Sequence, residues 1–284
     1  MPVRPSPRPA LVTGLAAEPA IARTALRWRS LGFDPLIDHY RVHAVPGSQG
    51  RFEPGPGNLV AKTVYPQLVH HVDPRGETWT YRVLAVSDAG RTGRASEPLV
   101  ASSSASVVAT GRPVATIGEF DGRTLEHRFA PSGYAQIPAA YPDAVVEYVQ
   151  GTDTPAAAWP YLLPGPGDAW AGRRAYTARW RFDLAEAPAG DHDLAVWLVD
   201  TTRLGGTLRV SVGGAALADV DLPPGGTRGS RDGDATVPGT ALVRSYHELA
   251  VPAARLRQGA NEIELVVADG GWVAWDAVGV FART

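Results

Sequence analysis

Cysteine is absent from the chain, which excludes disulfides, thiolate metal sites and a cysteine nucleophile and leaves the redox compartment open. Lysine is nearly absent: Lys62 stands alone, and almost all positive charge is arginine. No apolar run approaches the roughly 20 residues of a membrane-spanning helix, so no membrane partner is expected. The formal net charge of -2 argues against nucleic acid as a partner, because a duplex binder carries a concentrated basic face. Met1 to Ala10 is rich in proline and arginine and lacks the apolar core of a secretory signal, so no export address is read there. Helical periodicity is scarce as well, since glycine or proline interrupts most windows in which a 3.6-residue period begins.

What the chain does contain is turn residues, Gly 31 and Pro 25, separating short segments in which apolar and polar positions alternate. Tyr176, Ala178, Trp180, Phe182 and Leu184 share one face of a strand while Thr177, Arg179, Arg181 and Asp183 share the other. Short alternating strands between turns predict an all-β fold. A chain of 284 residues is long enough for two domains. The small-residue run Ala101 to Ser106 reads as a linker, which places the domains at residues 1–105 and 106–284.

In the first block, Leu26 and Trp28 oppose Arg27 and Arg29, and Tyr40, Val42 and Ala44 oppose His39, Arg41 and His43. Asp73-Pro74-Arg75-Gly76 then turns into Trp79, Tyr81, Val83 and Ala85, and Ser87-Asp88-Ala89-Gly90 makes the next turn. Trp28, Tyr40 and the stretch Pro74 to Val83 resemble the fibronectin type III family, which implies an immunoglobulin-like sandwich acting as spacer or protein-contact module. Trp79 stands where that family has its corner tyrosine, so the hydroxyl hydrogen bond found there must be replaced by an indole N–H or be missing.

In the second block, strands are expected near Leu125–Phe129, Val145–Val149, Tyr176–Leu184, Leu194–Val199, Leu208–Val212, His247–Val251, Glu262–Val267 and Val273–Phe281. Eight strands suggest a two-sheet jelly-roll β-sandwich. Leu194 to Val199 is apolar on both faces and should be central, whereas Asn261 to Leu265 alternates and should face water on one side. Phe120-Asp121-Gly122, Trp159-Pro160-Tyr161 with Pro164-Gly165-Pro166, Ala175 to Leu184, Val251 to Ile263 and Trp275-Asp276-Ala277-Val278 together resemble the C-terminal carbohydrate-binding-module-like domain of rhamnogalacturonan lyases. In those pectin-cleaving lyases a fibronectin-like domain precedes the module, and the catalytic domain precedes both. The resemblance therefore implies noncatalytic, ancillary modules whose partner is a cell-wall polysaccharide, pectic rhamnogalacturonan first, alongside a catalytic domain or subunit. It also implies an extracellular setting. Two other readings stay open: a subunit or fragment of a polysaccharide-degrading enzyme, and a structural spacer.

No catalytic residue is assigned. Lys62, as a lysine base for β-elimination, falls in the fibronectin-like block. His70 and His71 are neighbours on a strand and point to opposite faces. Asp191-His192-Asp193 reads as a hairpin turn, and Ser230 to Asp234 is a partial calcium loop without its closing glutamate. Sugar binding needs exposed aromatic faces for pyranose C–H groups and arginines for uronate carboxylates. Trp159, Tyr161 and Trp170 lie in a proline-stiffened loop whose ordering cost on binding is low; the alternative is that this loop plugs a sheet edge. Arg173, Arg174 and Arg228 are the nearby or loop-borne cations, and Trp272 follows an Asp-Gly-Gly turn at a loop rim. No cofactor is expected except a structural calcium, for which Asp276 is the candidate ligand; the alternative is a hydrogen-bonded buried carboxylate.

Overall fold

The structure, a computed structural model, describes residues 7–32, 36–226 and 242–283. The chain divides into two compact units, Met1–Ala109 and Thr110–Thr284, each with its own apolar core. Among the described residues no helix is long and apolar enough to cross a membrane.

The first unit contains β1 (Ala16–Ala20), β2 (Arg23–Arg27), β3 (Ile37–Pro46), β4 (Leu59–Thr63), β5 (Gln67–His71), β6 (Thr78–Ser87) and β7 (Leu99–Ser102). They pair as a three-stranded sheet, β1-β2-β5, and a four-stranded sheet, β4-β3-β6-β7, a two-sheet sandwich of the immunoglobulin-like kind that the resemblance implies. Leu26, Trp28, Tyr40, Val42, Tyr81 and Val83 fill the space between the sheets, and Trp28 meets Tyr40 edge-on with centroids 5.4 Å apart. At the departure from the family pattern, the Trp79 indole N–H donates to Glu77 Oε2 at 2.9 Å. His70 and His71 do face opposite sides of the edge strand β5. His70 is half-buried against the Tyr81 hydroxyl at 3.0 Å, and burial pushes its imidazole below its usual value.

The serine run read as a linker is part of this unit. Ala101 and Ser102 end β7, the Glu77 N–H donates to Ser103 Oγ at 2.9 Å, and the Ser104 and Ser106 N–H groups donate to the Ala20 and Pro74 carbonyls. Small residues here permit close backbone approach: a Cβ on Gly76 would sit 3.0 Å from the Ala105 nitrogen.

The second unit contains β8 (Arg112–Gly118), β9 (Val145–Val149), β10 (Leu162–Pro164), β11 (Thr177–Leu184), β12 (His192–Thr201), β13 (Gly206–Val212), β14 (Ala215–Leu222), β15 (Ser245–Val251), β16 (Gly259–Gly270) and β17 (Trp272–Ala282). Two five-stranded sheets form its jelly-roll sandwich: β14-β13-β16-β11-β9, and β10-β17-β12-β15 with β8 sharing the β10 edge of β17 further along the strand. Along β11 the inward residues Ala178, Trp180, Phe182 and Leu184 are buried, and every residue of β12 is buried, as the alternating and the continuously apolar patterns predict.

Leu125–Phe129 is not a strand. The His127 N–H closes a turn onto the Thr124 carbonyl, Leu125 is 55% exposed, and Thr124 and His127 are inside. Asp191-His192-Asp193 divides between turn and strand: His192 and Asp193 open β12. Asp193 pairs with Arg283 at 2.7 Å, and Asp191 accepts the Ala253 N–H. The three side chains go to separate partners and form no catalytic group. Arg228 and Ser230 to Asp234 lie outside the described residues.

Candidate functional site

The segment from Trp159 to Trp170 splits into a sealed half and an open half. Trp159 is 0% and Tyr161 2% exposed, which corrects the expectation that both rings face solvent. The reason is β10: Leu162, Leu163 and Pro164 pair with Ala274, Val273 and Trp272 of β17, and Trp275 N–H donates to the Tyr161 carbonyl at 3.0 Å. That pairing draws the preceding rings between the sheets, where Trp159 meets Tyr148 and Trp275 at centroid distances of 5.9 and 5.5 Å. Trp272, expected at a rim, is the first residue of β17 and is only 5% exposed.

After β10 the chain leaves the sheet, and Trp170 projects outward with 84% of its surface open. Its loop is held from several sides. The Gly165 and Gly167 N–H groups donate to the Gly271 and Gly270 carbonyls at 2.6 and 2.7 Å; a Cβ on Gly165 would collide with Val267 Cγ1 at 2.4 Å, so that approach demands glycine. Asp168, almost fully buried, is the centre of the loop. Its Oδ1 accepts the Trp170 and Ala171 N–H groups at 2.9 and 3.4 Å, its Oδ2 accepts the Tyr134 hydroxyl, and its carbonyl accepts the Arg173 N–H at 2.8 Å. Burial, and then the hydrogen bond and charge of Asp168, push the Tyr134 phenol well above its usual value, so this proton stays in place. A loop backbone held in this way loses little conformational freedom when a ligand stacks on the ring it carries.

Arg173 and Arg174 follow on the same loop, both exposed. Arg173 sits in the left-handed region at φ 55. Arg174 donates to the Pro142 carbonyl at 2.9 Å, with its guanidinium 5.8 Å from the Tyr176 ring centroid. The structure thus brings Trp170, Arg173 and Arg174 together and removes Trp159, Tyr161 and Trp272. Asp168 and Tyr134, which position the platform, were not singled out in the sequence. An Asp followed by Ala-Trp after a Pro-Gly-Pro-Gly run is the available signal, since Asp caps the backbone two residues on.

Asp276 is 0% exposed. Its Oδ1 accepts the N–H groups of Gly122 and Arg123 at 2.7 and 3.2 Å, and its carbonyl accepts the His127 Nε2–H at 2.9 Å. Burial pushes the carboxyl up to about 7 against these donors, and burial pushes the His127 imidazole down. Two quoted motifs, Phe120-Asp121-Gly122 and Trp275-Asp276, therefore meet as a structural latch. Gly122, at φ +80, would drive a Cβ into the Arg244 guanidinium at 2.5 Å. Calcium takes about six to eight oxygen ligands, whereas two N–H groups hold Oδ1 and the Arg244 charge lies nearby; Oδ2 is buried without a hydrogen-bond partner, but one carboxylate among these donors falls short of the ligand set the ion needs. Among the described residues no group of three or more His, Cys, Asp or Glu side chains could hold a metal.

A β-sandwich that presents a solvent-facing tryptophan and two exposed arginines on one loop offers a binding surface. Residues 114–280 match the family described as CBM-like, polysaccharide lyase family 4, domain III, and the chain belongs to that family. No curated protein matches it. Among solved structures it is similar to the twitchin kinase region from C. elegans, at 19% identity over 34% of this chain and 16% of that one, TM-score 0.28. It is also similar to the fibronectin type-III domain of human fibronectin type III domain containing protein 3, at 13% identity over 36% of this chain and 93% of that one, TM-score 0.30. A third is a Fn3-like protein from Clostridium thermocellum, at 23% identity over 33% of this chain and 92% of that one, TM-score 0.26.

Proposed function

We propose that the chain is an ancillary unit of cell-wall polysaccharide degradation that holds a pectic glycan, rhamnogalacturonan first, on the Trp170 loop. The observation that carries this reading is a tryptophan 84% open to solvent on a loop bracketed by Asp168, Tyr134 and two glycine contacts. A lone exposed tryptophan is costly to leave in water, whereas stacked on the C–H face of a sugar ring it recovers that area. Arg173 and Arg174 supply donors that match carboxylates, and the family membership supports glycan as the ligand class. The first unit serves as a spacer.

Titrating the chain with rhamnogalacturonan oligosaccharides and following tryptophan fluorescence tests the reading. Saturable quenching without new unsaturated sugar ends is expected. Ultraviolet absorbance from unsaturated product instead supports a lyase, and no response to any pectic fragment supports a spacer.

A further inference from the structure

A second feature of the C-terminal unit lies away from the Trp170 loop, where the turn of the β13–β14 hairpin, residues 254–257, the start of β16 and Arg181 of β11 line an open cleft of about 550 Å³. Three arginines, Arg181, Arg255 and Arg257, line it together with Glu262. The charges do not cancel. Arg181 is paired with Glu262 at 2.8 Å and with Glu147 at 3.0 Å. Arg257 directs only its Nε to the Ala260 carbonyl, at 2.9 Å. Among the described residues the arginine salt bridges are those of Arg27, Arg179, Arg181, Arg209 and Arg283, and neither Arg255 nor Arg257 is in one.

The cleft is also preorganised. The Asn261 side chain accepts the Arg257 N–H at 2.9 Å and donates to the Arg257 and Gly259 carbonyls at 2.7 and 2.8 Å, which closes the Arg257–Asn261 turn. Leu256, buried between the two exposed arginines, anchors the segment to the core. Opposite them the hairpin turns through Gly213 and Gly214, at φ 59 and φ 78. A two-residue turn with both angles positive is met by Gly-Gly without strain, and it leaves that wall without side chains. Nothing lies within 4 Å of a Cβ built on Gly214. Uncompensated guanidinium groups in a concavity focus a positive potential and suit a planar, bidentate anion.

We propose that this cleft is a second ligand site that takes the carboxylate of a uronate residue through Arg255 and Arg257. The anion preference stands on the cleft itself; the assignment to a sugar acid rests on the carbohydrate-binding reading above.

The test titrates the full chain with an oligogalacturonate, with a neutral galactan oligosaccharide of equal length and with inorganic phosphate. NMR follows the amides of Gly213, Gly214 and Ala254 to Arg257 and, separately, the Trp170 indole N–H. The cleft amides are expected to shift with oligogalacturonate and not with galactan. Arg255→Gln should weaken that response by about tenfold or more, the range of one lost charge-assisted hydrogen bond, and Arg255→Lys should recover part of it. Arg255 is exposed, so the fold should survive, and the Trp170 signal should respond to glycan as in the wild type. Cleft amides that stay still, that respond equally to galactan, or that respond as strongly to phosphate overturn the proposal. Shifts at the cleft with a silent Trp170 indole support the cleft and count against the Trp170 reading; the reverse pattern does the opposite.

Discussion

Trp159 and Trp170 belong to one aromatic, proline-rich segment and have opposite fates, 0% and 84% exposed. Composition alone does not separate them, because what decides is whether the residue precedes or follows a three-residue strand. Trp170 was legible as an exposed aromatic; its supports, Asp168 and Tyr134, join across distant sequence and were not. Asp276 shows the same limit. Its burial was legible from the apolar strand around it, but the donors that hold it come from Gly122 and Arg123. Burial raises the Asp276 carboxyl from 3.8 to about 7, so as pH rises the unfolded chain gives up this proton before the folded one does. Its stabilising contribution is present below its unfolded value and is lost as pH climbs toward 7. Asp276→Asn keeps an acceptor for both N–H groups and cannot ionise. Between about pH 4 and about pH 8, denaturant unfolding is expected to shift in favour of the variant by on the order of 3–4 kcal/mol relative to wild type; a constant difference contradicts the account. Since the site suits hydrogen bonds and not calcium, adding EDTA is expected to leave the melting temperature unchanged, and a drop of several degrees would restore the metal.

At the scale of elements, the strands with strict alternation or continuous apolar character were readable: β9, β11, β12, β13, β15, β16 and β17 all fall where the pattern puts them. The misses have separate causes. β10 is too short to show a period and ends in a proline. β14 is alanine- and aspartate-rich, with Val220 and Leu222 as its buried anchors. Leu125–Phe129 alternates, but with the sense reversed: His127 is inside, its Nε2–H donating to the Asp276 carbonyl, while Leu125 faces water. Trp180 is the deepest test of the sheet reading. It is 0% exposed on β11, with its indole N–H 3.3 Å from Gln150 Oε1. Trp180→Ala is expected to cost about 3–5 kcal/mol in chemical denaturation, the range for a large buried aromatic, and a cost below about 1 kcal/mol would place this ring outside the core.

For the whole molecule, the near-neutral charge conceals a local organisation. On the outer face of β9, β11 and β16, Arg179 and Arg181 are matched by Glu147, Glu262 and Glu264 at 2.8 to 3.5 Å, an exposed network worth little in stability. Arg255 and Arg257 line the cleft beside the paired Arg181, and Trp170 exposes 84% of its surface on a separate loop. Net charge alone does not show where the charge is concentrated. The central claim is that one exposed indole face carries glycan contact. Isothermal calorimetry of rhamnogalacturonan oligosaccharides against wild type and Trp170→Ala is its most direct test. Truncating an exposed side chain should leave the fold intact, and the account predicts that heat of binding seen with wild type disappears or weakens by about tenfold or more, the loss of roughly one stacked ring. Equal affinity in the two proteins would contradict it.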